Sequence, residues 1–252
     1  MTDKDKKNIS NGIKIIYEDE NILAINKPSG LVVHSDGKTK EATLADWVLK
    51  NYPETEDVGE PLVLSTGEII KRPGIVHRLD RETSGILLIA KNQKTFLFLK
   101  EQFQKRTIKK SYRAFVYGEM KNDDGIIDRP IGRSNKDFRM WSAQRGARGQ
   151  MRTAVTEYNV LERSNGFSFV EVNPKTGRTH QIRVHFKAIN HPIVSDSLYA
   201  PKREKGLGFD RLALHSYSIE FSLPNGKEMK LEAELPEDFL RALKNLNISI
   251  RG

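Results

Sequence analysis

Short β-rich runs, grouped along the chain instead of alternating singly with helical stretches, set the tightest limit on what this sequence can fold into. "IKIIYE", "NILAINKP" and "GLVVHS" predict three strands joined by tight turns at Asp19–Glu20 and Pro28–Ser29–Gly30. "SYRAFVYGEM", "TAVTEYNVLER" and "FSFVEVNP" alternate as strands do, and "LALHSYSIEFSL" with "KEMKLEAEL" predicts a closing hairpin around Pro224–Asn225–Gly226. Helical spacing is confined to four places. "TLADWVLKNY" has Leu44, Trp47 and Val48 on one face behind Thr43 as N-cap. "NQKTFLFLKEQFQKRTIK" has Phe96, Leu99 and Phe103. A short helix opens near Thr179, and a last one begins at Pro236. The pattern predicts an α+β fold with a mixed, mostly antiparallel central sheet and flanking helices. Residues 1–11 read as a polar tail and 12–252 as a single domain, with residues 53–73 forming a surface excursion.

Composition removes several kinds of chemistry. Of 252 residues none is cysteine, so disulfides, thiol nucleophiles and thiolate zinc sites are out. No apolar run approaches the ~20 residues that span a bilayer, and the N-terminus lacks an apolar signal region. Both features favour a cytoplasmic protein. The net charge of +9 favours a polyanionic partner, nucleic acid ahead of a membrane surface.

Four clusters can carry chemistry. In "GIVHRLDRETSGILLIAK" the residues His77, Arg78, Asp80, Arg81 and Glu82 crowd the mouth of an apolar strand. Cations beside Asp80 would favour an ionised, oriented carboxylate, able to act as nucleophile or base. A salt-bridged aspartate in a solvated turn fits the same local sequence. "PKTGRTHQIRVHF" combines a glycine turn, a helix start and the fixed charges of Arg178 and Arg183, which suits a phosphate or carboxylate partner. His180, His185 and His191 have poor spacing for a metal site, with no acidic residue among them. "RPIGRSNKDFRMWSAQRGARGQMR" interleaves Arg133, Lys136, Arg139, Arg145, Arg148 and Arg152 with Phe138 and Trp141. Cations for phosphates and aromatic faces for bases suit unpaired or flipped-out nucleotides, while a charged, solvated hairpin is the plainer reading. Tyr112 opens a strand beyond a basic tip and by itself points nowhere. No Walker loop, G-x-G-x-x-G or G-x-S-x-G occurs.

Taken in order, "NKPSGLVVH", "HRLDRETSGILLIAK", "YRAFVYGE", "AVTEYNVLE" and "GRTHQIRVH" resemble the RluA-type family of RNA pseudouridine synthases over roughly residues 13 to 248. The resemblance implies a catalytic domain with a central cleft that isomerises uridine in RNA without metal or organic cofactor. It implies Asp80 as the essential aspartate, Tyr112 as the active-site tyrosine and Arg183 as the arginine that partners the aspartate. Arg78 matches the arginine that takes the place of an extruded base. The basic segment and Arg178 are the expected RNA contacts. Some relatives carry an N-terminal domain of the S4 kind. The match here begins by Ile13, so that module is expected to be absent and target capture to rest on the catalytic domain. The expected substrate is a structured RNA, ribosomal ahead of transfer RNA, and the expected state a monomer with no obligate protein partner. A catalytically silent RNA-binding or chaperone protein on the same fold is the alternative. A glycoside- or nucleoside-cleaving hydrolase would need a second carboxylate, for which Glu82 is the close candidate.

Overall fold

A computed structural model of the chain describes residues 12–35, 37, 41–135, 137–144 and 147–248. The expected tail at 1–11 lies outside the described residues. The first strands are β1 (Lys14–Glu18) and β2 (Ile22–Lys27), followed by helix α1 (Leu44–Asn51), a 3₁₀ turn at Pro53–Thr55, β3 (Leu62–Val63), β4 (Ile69–Ile70), β5 (Ser84–Ala90) and α2 (Gln93–Lys105). Next come β6 (Lys109–Tyr117), β7 (Asp124–Asp128), β8 (Ile131–Arg133), β9 (Trp141–Ser142), β10 (Arg148–Arg152), β11 (Val155–Ser164), β12 (Phe167–Pro174) and α3 (Gln181–Ala188). β13 (Leu214–Ser222), β14 (Glu228–Glu232) and α4 (Glu237–Asn245) close the chain. The architecture is α+β, as the grouped strand pattern predicts.

The chain divides into two compact units, each built from two stretches: Met1–Ile108 with Ser218–Glu234, and Lys109–Tyr217 with Leu235–Gly252. In the first unit β1, β2 and β5 lie side by side and antiparallel, and β14 pairs with the Ser218–Ser222 end of β13. All seven residues of β5 are buried, which explains its unbroken apolar run. Ile22, Ala24, Ile86 and Leu88 pack with Phe96 and Leu99 of α2 and with Ile219 and Phe221. In the second unit β6, β12, β11 and β7 run in that order, each pair antiparallel. Phe115, Val170, Val172, Phe186, Phe209 and Phe239 form its core. A separate three-stranded sheet, β10–β8–β9, also belongs to this unit.

Local chemistry sets the helix ends. Thr43 and Asp46 form a reciprocal capping box at α1, and the Asn92 side chain caps α2. The turn between β13 and β14 falls where "PNG" places it.

One expected strand is not a regular strand. "GLVVHS" is irregular because the carbonyls of Val32 and Val33 accept from the Leu44 and Ala45 N–H groups at the start of α1. "IVHRLD", for which strand and loop are both open from its sequence, is a loop with an isolated bridge, Ile75 to Ile89. Its start is fixed at Gly74, whose φ is +62° and where a Cβ would lie 2.0 Å from the Ala90 carbonyl oxygen. Only glycine fits there. The excursion at 53–73 includes the 3₁₀ turn and the β3–β4 hairpin.

Candidate active site

The Asp80 loop is held by backbone anchors on both flanks. Upstream, Nε2 of His77 accepts from the Leu88 N–H at 2.9 Å, and the His77 ring stacks on Phe103 with centroids 4.8 Å apart. An acceptor at Nε2 puts the ring proton on Nδ1, so this histidine is a neutral brace rather than a cation beside Asp80. Leu79 is buried, which pins the residue before the carboxylate. Downstream, the Thr83 N–H closes a turn on the Asp80 carbonyl, and the Gly30 N–H donates to the Arg81 carbonyl at 2.8 Å. The Ser29 hydroxyl donates to the Glu82 carbonyl at 2.8 Å.

The firmest anchor is Lys27, whose side chain is fully buried. Its ammonium donates to the carbonyls of Pro28 at 2.8 Å, Leu31 at 2.8 Å and Arg81 at 3.1 Å. A buried charge is tolerated when oriented dipoles surround it, and here one of them belongs to the residue next to Asp80. "NKPSG" is thereby joined to "HRLDRETSG" across more than fifty residues. Arg81 itself turns to Glu41, 2.8 Å away, while Arg78 is exposed and Asp80 half-buried.

Asp80 belongs to the first unit; Tyr112 and Arg183 belong to the second. Tyr112 stands half-buried on β6, opposite Val172 of β12, and packs against the second unit's core. Its neighbour Arg113 points to the other face, where it meets Glu171 at 2.7 Å and lies over the Tyr217 ring at 4.3 Å. Burial tends to raise the Glu171 carboxyl, but Arg113, Ser111 and Asn159 outweigh it and hold the group below its ordinary range.

Arg183 sits on α3 and is buried. Its Nε and Nη2 fork onto Asp196 Oδ2 and Oδ1 at 2.8 and 2.7 Å. The same Oδ1 accepts the N–H groups of Leu198 and Tyr199 at 3.0 and 2.9 Å. The guanidinium plane lies over the Tyr199 ring at 4.9 Å, and the Tyr199 hydroxyl meets His180 Nδ1 at 2.9 Å. Such a bidentate pair fixes the direction of Arg183 as well as its charge.

The helix starts two residues after Thr179, because His180 has φ +56° and acts as its N-cap. Gln181 explains that turn. Its Oε1 accepts from the Thr176 hydroxyl and the Arg178 N–H, and its amide nitrogen donates to the Val155 carbonyl and to Thr156 Oγ1. His185 and His191 are engaged elsewhere: His185 with Thr156 and the Arg129 carbonyl, His191 with the Tyr117 carbonyl. Among the described residues no group of three or more His, Asp or Glu side chains is arranged to hold a metal ion.

The basic segment forms the small sheet. Arg133 is paired with Arg148 on one side and Trp141 on the other, so the three make a row across it. The Arg133 guanidinium lies 4.2 Å from the Trp141 ring centroid. Arg152 faces Ile131 beyond a bulge, and every residue of β10 is exposed. Arg139 is turned onto Asp137 at 2.7 Å, and the guanidinium lowers that carboxyl to about 2. Phe138, between them, is 85% exposed. Arg178 lies apart from the row, donating to the Thr153 carbonyl. Lys136 and Arg145 lie outside the described residues.

Sequence reasoning missed Lys27, His77, Gln181, Asp196 and Tyr199 as positioning groups. Asp196 left one signal, a lone acid inside the apolar "PIVSDSLY".

The chain is similar to known proteins over most of its length. A family model described as RNA pseudouridylate synthase matches residues 21–188. An RNA pseudouridine synthase of Bacillus subtilis is 38% identical over 93% of this chain and 73% of its own length. One from Aquifex aeolicus is 40% identical over 90% and 71%. A ribosomal large subunit pseudouridine synthase D from Yersinia pestis is 38% identical over 93% and 70%. Among solved structures, human RNA pseudouridylate synthase domain containing 1 is similar with a TM-score of 0.70 at 25% identity, covering 89% of this chain and 84% of that one. The order of motifs, the anchored Asp80 loop and this family match lead to one assignment: the chain belongs to the RNA pseudouridine synthases of the RluA type, isomerases acting on RNA.

Proposed function

We propose that this chain converts specific uridines of a structured RNA, ribosomal ahead of transfer RNA, to pseudouridine by base flipping, with Asp80 as the reacting carboxylate. Relatives from Yersinia pestis, Nitrosomonas europaea and Neisseria meningitidis that are 36–38% identical carry the name ribosomal large subunit pseudouridine synthase D, which favours ribosomal RNA. The observation that carries the reading is the anchoring of the Asp80 loop by Lys27, Ser29, Gly30 and His77. A turn in solvent has no need of a fully buried lysine tied to its backbone.

The reaction breaks the bond between uracil N1 and ribose C1′ and forms one between C5 and C1′. The proton leaves C5 and another is gained at N1, so no redox change or group donor is involved. Asp80 acts on the ribose, as nucleophile or as base. Tyr112 stacks on the uracil and retains it while detached. Arg183, aimed by Asp196, supplies the cation that keeps the reacting carboxylate ionised and oriented. Extrusion of the nucleotide costs a few kcal/mol. Arg78 replaces the lost stacking, and Arg133, Lys136, Arg139, Arg145, Arg148, Arg152 and Arg178 hold phosphates. Residues 12–252 act as one catalytic domain, as a monomer in the cytoplasm.

Tritium release from RNA labelled at uracil C5 tests the assignment. Asp80→Asn should abolish release while RNA binding stays within severalfold, because the change keeps shape and removes charge. Equal loss of both would remove Asp80 from the chemistry. Release of free uracil would point to a hydrolase. No release from any cellular RNA by the unaltered protein would favour the silent RNA-binding reading. Mapping pseudouridines in a strain lacking the protein against its parent identifies the target.

A further inference from the structure

Lys110 is a cation that the reaction leaves unassigned. It precedes Tyr112 by two residues on β6 and therefore shares its face of the strand. Its side chain is partly buried, and burial alone pulls the ammonium below its ordinary range, with no carboxylate among the described residues to offset the cost. The nearby Lys175 is different, being paired with Glu157 at 2.7 Å.

The ammonium lies against the turn that leads into α3. A Cβ built on Gly177 would be 3.7 Å from Lys110 Nζ. That turn is itself electropositive. The N-terminal end of α3 carries partial positive charge, and Arg178 is oriented there by the Thr153 carbonyl. Neither the Gly177 nor the Thr179 backbone N–H donates to an acceptor among the described residues. A half-buried lysine that lies against this turn without a carboxylate, beside Arg178 and two undonated backbone N–H groups, is unfavourable in the absence of an anion. Burial of a charge calls for a counter-charge.

We propose that Lys110, Arg178 and the Gly177–Thr179 backbone form a phosphate seat that grips one phosphodiester of the RNA strand. The inference rests on the reading that the chain acts on RNA, and it adds a fixed backbone contact on the strand face that bears Tyr112. Phosphate is the anion that an RNA substrate always carries, and a lysine with two backbone N–H groups matches its oxygens.

The experiment uses the full chain with Lys110→Met and Lys110→Arg, each checked for folding by circular dichroism. Binding of a fluorescein-labelled oligouridylate is measured against salt concentration. Lys110→Met should weaken binding roughly tenfold, as expected for one charge-assisted contact. It should also reduce the slope of log affinity against log salt by about 0.7, the share of one single-strand phosphate. Lys110→Arg should restore both. In the tritium-release assay Lys110→Met should raise KM and leave kcat within twofold. An unchanged salt slope in a folded Lys110→Met protein overturns the phosphate seat, whatever the activity. A fall in kcat at unchanged KM overturns it in favour of a purely structural lysine. The underlying RNA reading fails separately, through absence of tritium release by the unaltered protein.

Discussion

Replacing Lys27 by methionine should damage stability and turnover together while sparing RNA capture. Methionine keeps the length of the side chain in a fully buried slot but removes three donors. Three hydrogen bonds from an ionised donor, at about 1.5–3 kcal/mol each, set an upper limit near 5–9 kcal/mol. Removing the charge also relieves its desolvation, which returns several kcal/mol, so about 3–5 kcal/mol remains. That is a large share of the roughly 5–15 kcal/mol that holds a typical domain folded. The chain has two tryptophans, Trp47 in the first unit and Trp141 in the second. Urea unfolding in a Trp141→Phe background therefore reads the unit that contains Lys27. With Trp141 present, kcat for tritium release should fall about a hundredfold, the scale expected when a reacting group is displaced by ~1 Å, because the Arg81 carbonyl is one residue from Asp80. Oligouridylate affinity should change less than threefold. A stability loss below 1 kcal/mol with normal kcat would show that the Asp80 loop keeps its shape without this anchor, and the argument from anchoring would fail.

Three further outcomes follow from the second unit. Asp196→Ala strands a buried guanidinium and should cost about 3–5 kcal/mol, read by urea unfolding through Trp141 in a Trp47→Phe background; a cost under 1 kcal/mol would mean that Arg183 is held by other partners. Changing Arg133, Arg148 and Arg152 to alanine should lower the salt slope of RNA binding by about 2, at ~0.7 per single-strand phosphate, and an unchanged slope would return the small sheet to a merely solvated surface. His185 is pulled below its ordinary 6.5 mainly by burial, and it is neutral because Nε2 donates to the Arg129 carbonyl while Nδ1 accepts from Thr156. A depressed folded value means the folded state binds the proton less readily than the unfolded chain, so the stability is complete above about pH 6.5 and fades as pH falls toward the folded value. The urea midpoint should drop from pH 7 to pH 5, and His185→Gln should flatten that drop; equal drops would place the acid sensitivity elsewhere.

What the sequence exposed and what it hid divide along a physical line. Periodicity is covalent, so β12 was legible to its ends: "FSFVEVNP" alternates over the very residues that pair with β6 and β11. Caps are equally local, and Thr43 announces the start of α1. "GLVVHS" has the composition of a strand, yet the carbonyls of Val32 and Val33 are taken by Leu44 and Ala45 in the first turn of the following helix, a competition that no propensity records. The candidate site divides in the same way. Asp80, Tyr112 and Arg183 stand in motifs, whereas Lys27 and Asp196, which brace the Asp80 loop and Arg183, are themselves tied to backbone carbonyls and amides, whose identity leaves no mark on the sequence. Lys27 bonds to Pro28, Leu31 and Arg81 through main-chain oxygens, so any residue at those positions presents the same acceptor. Asp196 likewise takes two backbone N–H groups besides Arg183. A reacting side chain must be of one type and is therefore visible; its scaffold need only place a polar backbone atom. A search for positioning residues is thus better directed at buried charges whose partners are main-chain atoms than at further motifs.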